Sequence, residues 1–373
     1  MAEQGIDVTK KVIGEILGQA QLVRETFAEL KQNVEKTFEP IDVSQITKVY
    51  YTGCGDSYFA GVAVRYFFEM NTGLQCEGIE ALEFSRYHVG FAPKDSLLVA
   101  ISNSGKVSRA IECVIKAKKR GIGTIAVTKS LQSPLALEAD YVIQAIIPPM
   151  PSGAVGTRSY TASLLGAYLI ALVIGLKRGV LSNEAYEQKC RQLASLADTM
   201  QALIEAQQSA LADYVNTHTV EDNLVIIGGG PNYATALFGA AKVLEAVNMD
   251  CIPQMLEEWA HLQFHTVYPN KYTIVLAPSG HGMSRAVEQI RGIKDTGGSV
   301  ICLSDNEALR DLCDHFIQMP SAAEELTPYL YCIPLEFIAT YLSLKLGKSM
   351  RMRMDDFLKE VNFRQIFDSA IEQ

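Results

Sequence analysis

The chain has 373 residues, 48% of them hydrophobic and 20% charged, with a formal charge of −9 at pH 7. Such a length holds two ordinary domains or a pseudo-symmetric pair around a large core, and such a composition excludes a disordered chain. There is no basic tract to contact nucleic acid, no charge-free apolar run of the roughly eighteen residues a membrane span needs, and no apolar signal core in the opening MAEQGIDVTKK. An anionic ligand therefore has to be held by local donors rather than by the field of the whole chain. The eight cysteines form no CxxC-type pair, and several lie inside apolar strand or helix patterns, as buried free thiols do in a reducing compartment. A soluble cytoplasmic protein is expected.

Residues 9–38 read as one long amphipathic helix, with Val12, Ile16, Ala20, Val23, Phe27 and Leu30 on a single stripe, stopped by Pro40. A strand over 48–52, a tight turn Gly53-Cys54-Gly55-Asp56-Ser57 and a helix over 58–70 come next, and a short strand around 74–78 runs on into 82–86. The unbroken apolar run 97–101 reads as a strand buried on both faces, and 108–120 as a helix. Strands over 124–128 and 141–146 flank a loop at Ser133-Pro134, and a proline-rich stretch at 148–152 leads into a helix over 159–178. Its core, 162–176, is the most apolar window of the chain, too short to span a bilayer and better read as a buried helix. A connector helix over 183–214 precedes a strand over 223–227, a turn Gly228-Gly229-Gly230-Pro231-Asn232 and a helix over 233–247. Strands alternating with helices predict an α/β fold with parallel, doubly wound sheets.

The second unit repeats the first. KVYYTGCGDSYFAGVAVRYFFE from Lys48 lies over the segment starting near Asn223, so that Gly53, Gly55 and Tyr58 meet Gly228, Gly230 and Tyr233 about 175 residues on. Val107-Ser108-Arg109-Ala110-Ile111-Glu112 likewise meets Met283-Ser284-Arg285-Ala286-Val287-Glu288. The implied organisation is an N-terminal helix (1–45), a first domain (46–180), a connecting helix (181–215), a second domain (216–345) and a tail over the active site (346–373), with the two domains related by internal duplication.

Between the strand 97–101 and the helix after it sits Ser102-Asn103-Ser104-Gly105. A strand that stops at small hydroxyl and glycine residues and reopens as a helix leaves N–H groups beside the positive end of the helix dipole, which is a seat for a phosphate. An ordinary turn with Ser104 capping the helix is the competing reading. The second copy has Pro278-Ser279-Gly280-His281-Gly282 at this place, and proline removes a donor, so the phosphate is assigned to the first copy. In the second copy, Lys242 and Glu245 stand three apart on an apolar, small-residue helix, either as a surface ion pair or as a proton-transferring carboxylate beside a lysine. Farther on, Glu258, His261 and His265 share one side if 255–265 is helical, a spacing that suits a histidine acid or base better than a metal ion. The turn around Gly53 lacks the GxGxxG spacing of a dinucleotide site.

These residues resemble the sugar isomerase (SIS) domain family in its double-domain form, as in the isomerase half of glucosamine-6-phosphate synthase and the fructosamine-6-phosphate deglycases. The similarity runs from about Lys48 to Lys359. It implies two tandem flavodoxin-like SIS domains and a phosphate held by Ser102, Asn103, Ser104 and Ser108, with Gly55, Asp56 and Ser57 at the glycine turn and Thr157 in a sugar-contacting loop. Where family members carry a threonine, this chain has Val107 followed by Ser108. The family's glutamate lies in a K-x-x-E setting that matches Lys242 and Glu245, and its histidine comes sixteen residues later, which lands on His261. The resemblance makes Glu245 the carrier of a proton between C1 and C2 of the open-chain sugar, with His261 assisting, and puts Lys359 near a ring-opening lysine. It implies no cofactor and no metal, a phosphorylated sugar or ketosamine as ligand, no nucleic-acid or membrane partner, and a homodimer with sites at subunit contacts. No glutaminase-like segment is present in the sequence, and the tail from Met352 looks more like that of a deglycase. A fructosamine-6-phosphate deglycase is therefore expected, ahead of an aldose–ketose isomerase, an amino-sugar-phosphate deaminase or a non-catalytic sugar-phosphate sensor.

Overall fold

The computed structural model describes residues 2–147, 149, 155–218, 223–269, 271–348 and 356–372, with side chains from Lys10 onward except that of Asp356. Most of the proline-rich stretch 148–152 and the start of the tail at 352–355 lie outside the described residues. The chain order is α1 (Ala2–Leu17), α2 (Gln19–Phe38), β1 (Lys48–Gly53), α3 (Asp56–Thr72), β2 (Gln75–Glu80), β3 (Ser96–Ile101), α4 (Ser108–Lys119), β4 (Gly123–Thr128), α5 (Pro134–Glu138), β5 (Tyr141–Gln144), α6 (Arg158–Lys177) and α7 (Asn183–Thr217). It continues with β6 (Asn223–Gly228), α8 (Asn232–Val247), β7 (Asp250–Met255), α9 (Glu258–His261), β8 (Tyr272–Leu276), α10 (Met283–Asp295), β9 (Ser299–Ser304), β10 (His315–Gln318), α11 (Pro328–Lys345) and α12 (Asp356–Phe367). These elements fall into two compact units, the first built on Gln19–Pro149, Arg158–Ala197 and the residues from 356 on, the second on the remainder.

The first unit holds a five-stranded sheet in the order β2-β1-β3-β4-β5, and the second a five-stranded sheet in the order β7-β6-β8-β9-β10. Every strand pair is parallel. Both have the 2-1-3-4-5 order of flavodoxin-like folds, in which ligands sit beyond the carboxyl ends of the central strands. β3 is buried along its whole length, as its unbroken apolar run requires. The repetition extends to single residues. Gly55 and Gly230 both open a helix with positive φ, at +55° and +53°. Asp140 accepts from the Thr124 N–H at 3.0 Å and pairs with Lys118, while Asp314 accepts from the Val300 N–H at 2.7 Å and pairs with Lys294.

Three local expectations change, and the reading of the apolar window 162–176 as a buried helix holds. The helix predicted over 9–38 is two helices, α1 and α2, that break at Gly18 and belong to different units; Gly14 and Gly18 weaken the helix where it parts. Residues 83–88 form a helical turn rather than an extension of β2. The loop at Ser133-Pro134 contains α5, whose N-terminus Ser133 caps by accepting from the Ala136 N–H at 3.3 Å. The helix α6 has the length and apolarity to cross a membrane, but 94% of its apolar window is buried inside the protein, which makes it a core helix. All eight cysteines are free thiols.

Candidate functional site

The turn after β3 is tied down on every side by backbone. The Ser102 N–H donates to the Val127 carbonyl at 3.0 Å, and the Asn103 carbonyl accepts from the Lys129 N–H at 3.2 Å and the Thr128 hydroxyl at 3.3 Å. Ser102 Oγ accepts from the Gly105 N–H at 3.2 Å, a role that still leaves its O–H proton to donate. Ser104 does not cap α4: its Oγ accepts from the Lys106 N–H at 3.2 Å, and the N-cap is Val107, which offers no side-chain hydrogen bond. The dipole end of α4 thus opens beside two serine hydroxyls. Gly105 is required for a reason other than close approach to an anion. It has φ +64°, and a Cβ there would stand 2.1 Å from Ser133 Oγ.

The turn after β1 is similar. Gly55, at positive φ, precedes α3 without a side-chain cap, and a Cβ on Gly53 would stand 2.7 Å from Ser57 Cβ and 2.9 Å from the Ile101 carbonyl, so β1, β3 and α3 meet there. Asp56 places a carboxylate in the first helical turn, an acceptor that suits a sugar hydroxyl better than a phosphate. Between the glycines, Cys54 donates to Glu80 Oε1 at 3.5 Å, and burial, reinforced by Glu80, pushes its thiol up to about 12, so it is no nucleophile.

In the second unit the matching turn is already occupied by the protein's own carboxylates. The His281 N–H donates to Glu324 Oε2 at 2.9 Å, and the Ser279 N–H donates to Asp305 Oδ1 at 2.7 Å. A Cβ on Gly280 would lie 2.2 Å from Glu324 Oε2. The residue directly after β9 is Asp305, whereas the one directly after β4 is Lys129. The same turn therefore carries negative charge in the second unit and a lysine backbone clamp in the first.

On α8, Lys242 is 2% exposed, with Nζ 3.1 Å from Glu245 Oε2 and 4.7 Å from the Phe238 ring centroid. The Glu245 side chain keeps 37% of its surface open. Lys242 and Ala246 line a small pocket with Val12, Thr157, Thr340 and Glu336. Glu336, 2% exposed on α11, escapes a reading of the sequence, although a carboxylate inside the apolar run PYLYCIPLEFIATYLSLK is the signal that could have found it. His261 ends the four-residue α9 and is 63% exposed, with Nε2 3.3 Å from Glu257 Oε1. Arg285 grips the same carboxylate at 2.6 and 3.2 Å and, with His261, holds it below the usual carboxylate range. The helix expected over 255–265 does not form: Met255 ends β7, and the backbone turns away at Leu262 before a tight turn that carries His265. The common face of Glu258, His261 and His265 is lost with it, and no group of three metal-ligating side chains occurs among the described residues.

Residues 43–173 match the SIS domain family. The first unit is a SIS domain. Over 92% of its length the chain is 28% identical to a glutamine–fructose-6-phosphate aminotransferase [isomerizing] of Caldanaerobacter subterraneus, of which it covers 55%, and over 93% it is 26% identical to that of Mycobacterium tuberculosis, of which it covers 54%. The chain spans about half the length of these relatives. Among solved structures, the C-terminal domain of glucosamine-fructose-6-phosphate aminotransferase from Francisella tularensis superposes with a TM-score of 0.82 at 18% identity, covering 91% of this chain and 97% of that one. Tagatose-6-phosphate ketose/aldose isomerase from Escherichia coli gives 0.73 at 14% identity with 92% and 95% coverage, and glucosamine-6-phosphate deaminase from Thermotoga maritima gives 0.66 at 19% with 88% and 96%. At these identities the solved structures show a shared fold.

The SIS domain brings together Gly55, Asp56 and Ser57 at one strand end and Ser102, Asn103 and Ser104 at the next, on the paired strands β1 and β3. Ser108 is the exception. Its hydroxyl donates to the Phe367 carbonyl at 2.6 Å, so the side chain is already committed. Lys359, on α12, belongs to the same unit, whereas Thr157, Lys242, Glu245 and His261 belong to the second.

Proposed function

We propose that the chain is a phosphosugar enzyme that moves a proton between C1 and C2 of an open-chain sugar, and that its substrate is a fructosamine 6-phosphate. The observation that carries this reading is the Lys242–Glu245 pair: a lysine 2% exposed on an apolar helix, held 3.1 Å from a carboxylate that is still reachable from solvent. A surface ion pair would leave both partners exposed. The names of the sequence relatives, which act on fructose 6-phosphate, support the substrate class. The uncapped start of α4 beside Ser102 and Ser104 supports a phosphate seat in the SIS domain, and the carboxylates seated in the matching turn of the second unit support its absence there.

In this reading the phosphate binds the 102–105 turn, Lys359 assists ring opening, and Glu245 takes a proton from C1 of the ketosamine. The electron pair of that C–H bond forms the enolamine, and the proton returns at C2, giving an aldose imine. Water adds at C1, the C–N bond breaks, and glucose 6-phosphate and an amine leave. His261, oriented by Glu257, handles hydroxyl protons. The active form is proposed to be a cytoplasmic homodimer.

The test is incubation with fructoselysine 6-phosphate, glucosamine 6-phosphate and fructose 6-phosphate, with assays for free amine, ammonia and aldose phosphate. Amine release from the first supports the deglycase, turnover of only the others reassigns the protein to a deaminase or isomerase, and binding without turnover makes it a sensor. Glu245→Gln is expected to lower kcat by about 10²–10⁴-fold while sugar-phosphate binding survives. Ser104→Ala is expected to raise KM for the phosphorylated substrate with the fold intact.

A further inference from the structure

Helix α12 buries none of its described side chains; Phe357 is 68% exposed and Phe363 46%. A helix of 12 residues is marginal by itself in water, yet α12 packs against α4. The anchorage comes from the segment 367–372, at and beyond the end of the helix. Its backbone carbonyls are gripped by the first turn of α4 and by Arg86 of the helical turn 83–88: the Phe367 carbonyl by the Ser108 hydroxyl at 2.6 Å, the Ser369 carbonyl by Arg109 at 3.3 Å, and the Ala370 carbonyl by Arg109 and, at 3.4 Å, by Arg86. Behind these guanidinium groups lies Glu112, whose side chain is 0% exposed and ion-paired to Arg86 at 3.0 Å and to Arg109. Glu112 Oε2 also accepts from the Glu372 N–H at 3.3 Å, and Ile371 packs on the apolar cluster that includes Ile111 and Val114. A buried carboxylate with two arginines is a rigid, fully bonded anchor, and the segment bonds both to the carboxylate and to its arginines.

We infer that residues 367–372 are a latch that fastens α12 to the start of α4, and that Glu112 and Arg109 thereby position Lys359 for the reaction. The fastening stands on the contacts alone; its effect on turnover rests on the role proposed above for Lys359.

Two variants test it: Glu112→Gln, and a chain shortened by residues 369–373, which leaves Glu112 and its arginines in place should the first fail to fold. Hydrogen exchange of 356–367 is expected to quicken by about tenfold or more in both, with β1 and β3 unchanged. For the shortened chain, kcat on the fructosamine 6-phosphate is expected to fall more than KM rises. Unchanged exchange in α12 overturns the latch, and quickened exchange with wild-type kcat overturns its positioning role. If α12 loosens while even the wild-type protein turns over none of the sugars, the latch stands and the proposed activity falls.

Discussion

Single side chains decide which of two near-identical turns is open to a ligand. In the second unit Glu324 supplies an internal carboxylate to the His281 N–H, and Asp305 does the same for Ser279. Charge-assisted bonds of this kind contribute more than neutral ones. Glu324→Ala is therefore expected to cost about 1–2 kcal/mol of stability, measured by urea unfolding, without changing the affinity for a sugar phosphate; a marked gain of affinity once this competing carboxylate is gone would mean that the phosphate sits in the second turn. The sequence favours the first turn because a proline in the second lacks a donor, but the occupying carboxylates are out of its reach. Glu324 lies more than forty positions after His281, and only the folded loop brings them together. Gly105 shows the same limit. Its presence is legible, whereas the cause, a left-handed backbone pressed on Ser133, is a tertiary fact.

At the scale of elements, periodicity locates the long buried segments well and the short or interrupted ones poorly. β3 and α6 announce themselves because nearly every residue is apolar or small. The region 255–265 misleads because a strand end, a single helical turn and a tight turn share eleven residues, and Trp259, Phe264 and His265 look equally apolar or polar in any of them. For α12 the decisive bonds lie at and after the helix end, where no periodicity points. The latch also has an acid limit. Burial acts to raise the Glu112 carboxyl, but the Arg86 hydrogen bond, the Glu372 N–H and the charges of Arg109 and Arg86 together hold it below the ordinary value of 4.5. A depressed carboxylate contributes stability that is fully present above its unfolded value and is lost as pH falls through its folded one. The other groups facing it are Lys116, 3.4 Å away, and Glu372, which pairs with Arg86 at 2.7 Å. Between roughly pH 5 and pH 3, the protection of α12 against exchange, taken relative to the intrinsic amide rate at each pH, is expected to fall in the wild type and to vary little in Glu112→Gln; equal slopes in the two would remove Glu112 from the anchor.

For the whole molecule, duplication is the organising fact, and it is legible because paired glycines survive in both copies where only glycine fits. Divergence then equipped the copies differently, with hydroxyls at an open turn in the first and a lysine–glutamate pair and a histidine in the second. The surroundings of that histidine carry the last prediction. His261 is 63% exposed, and beside it Leu262 and Phe264 are 52% and 45% exposed, with Ile252 and Met255 of the edge strand β7 at 38% and 49%. In the proposed homodimer, a second copy of the chain would cover such exposed apolar side chains. If His261 then serves the partner's Glu245, two inactive variants can repair each other. Glu245→Gln and His261→Ala, each inactive alone, are expected on mixing and subunit exchange to recover about a quarter of the wild-type rate: half of the random dimers are hybrids, and one of the two sites in each hybrid is intact. Light scattering that reports a dimer, together with no recovery after proven exchange, would place Glu245 and His261 in service of a site within one chain.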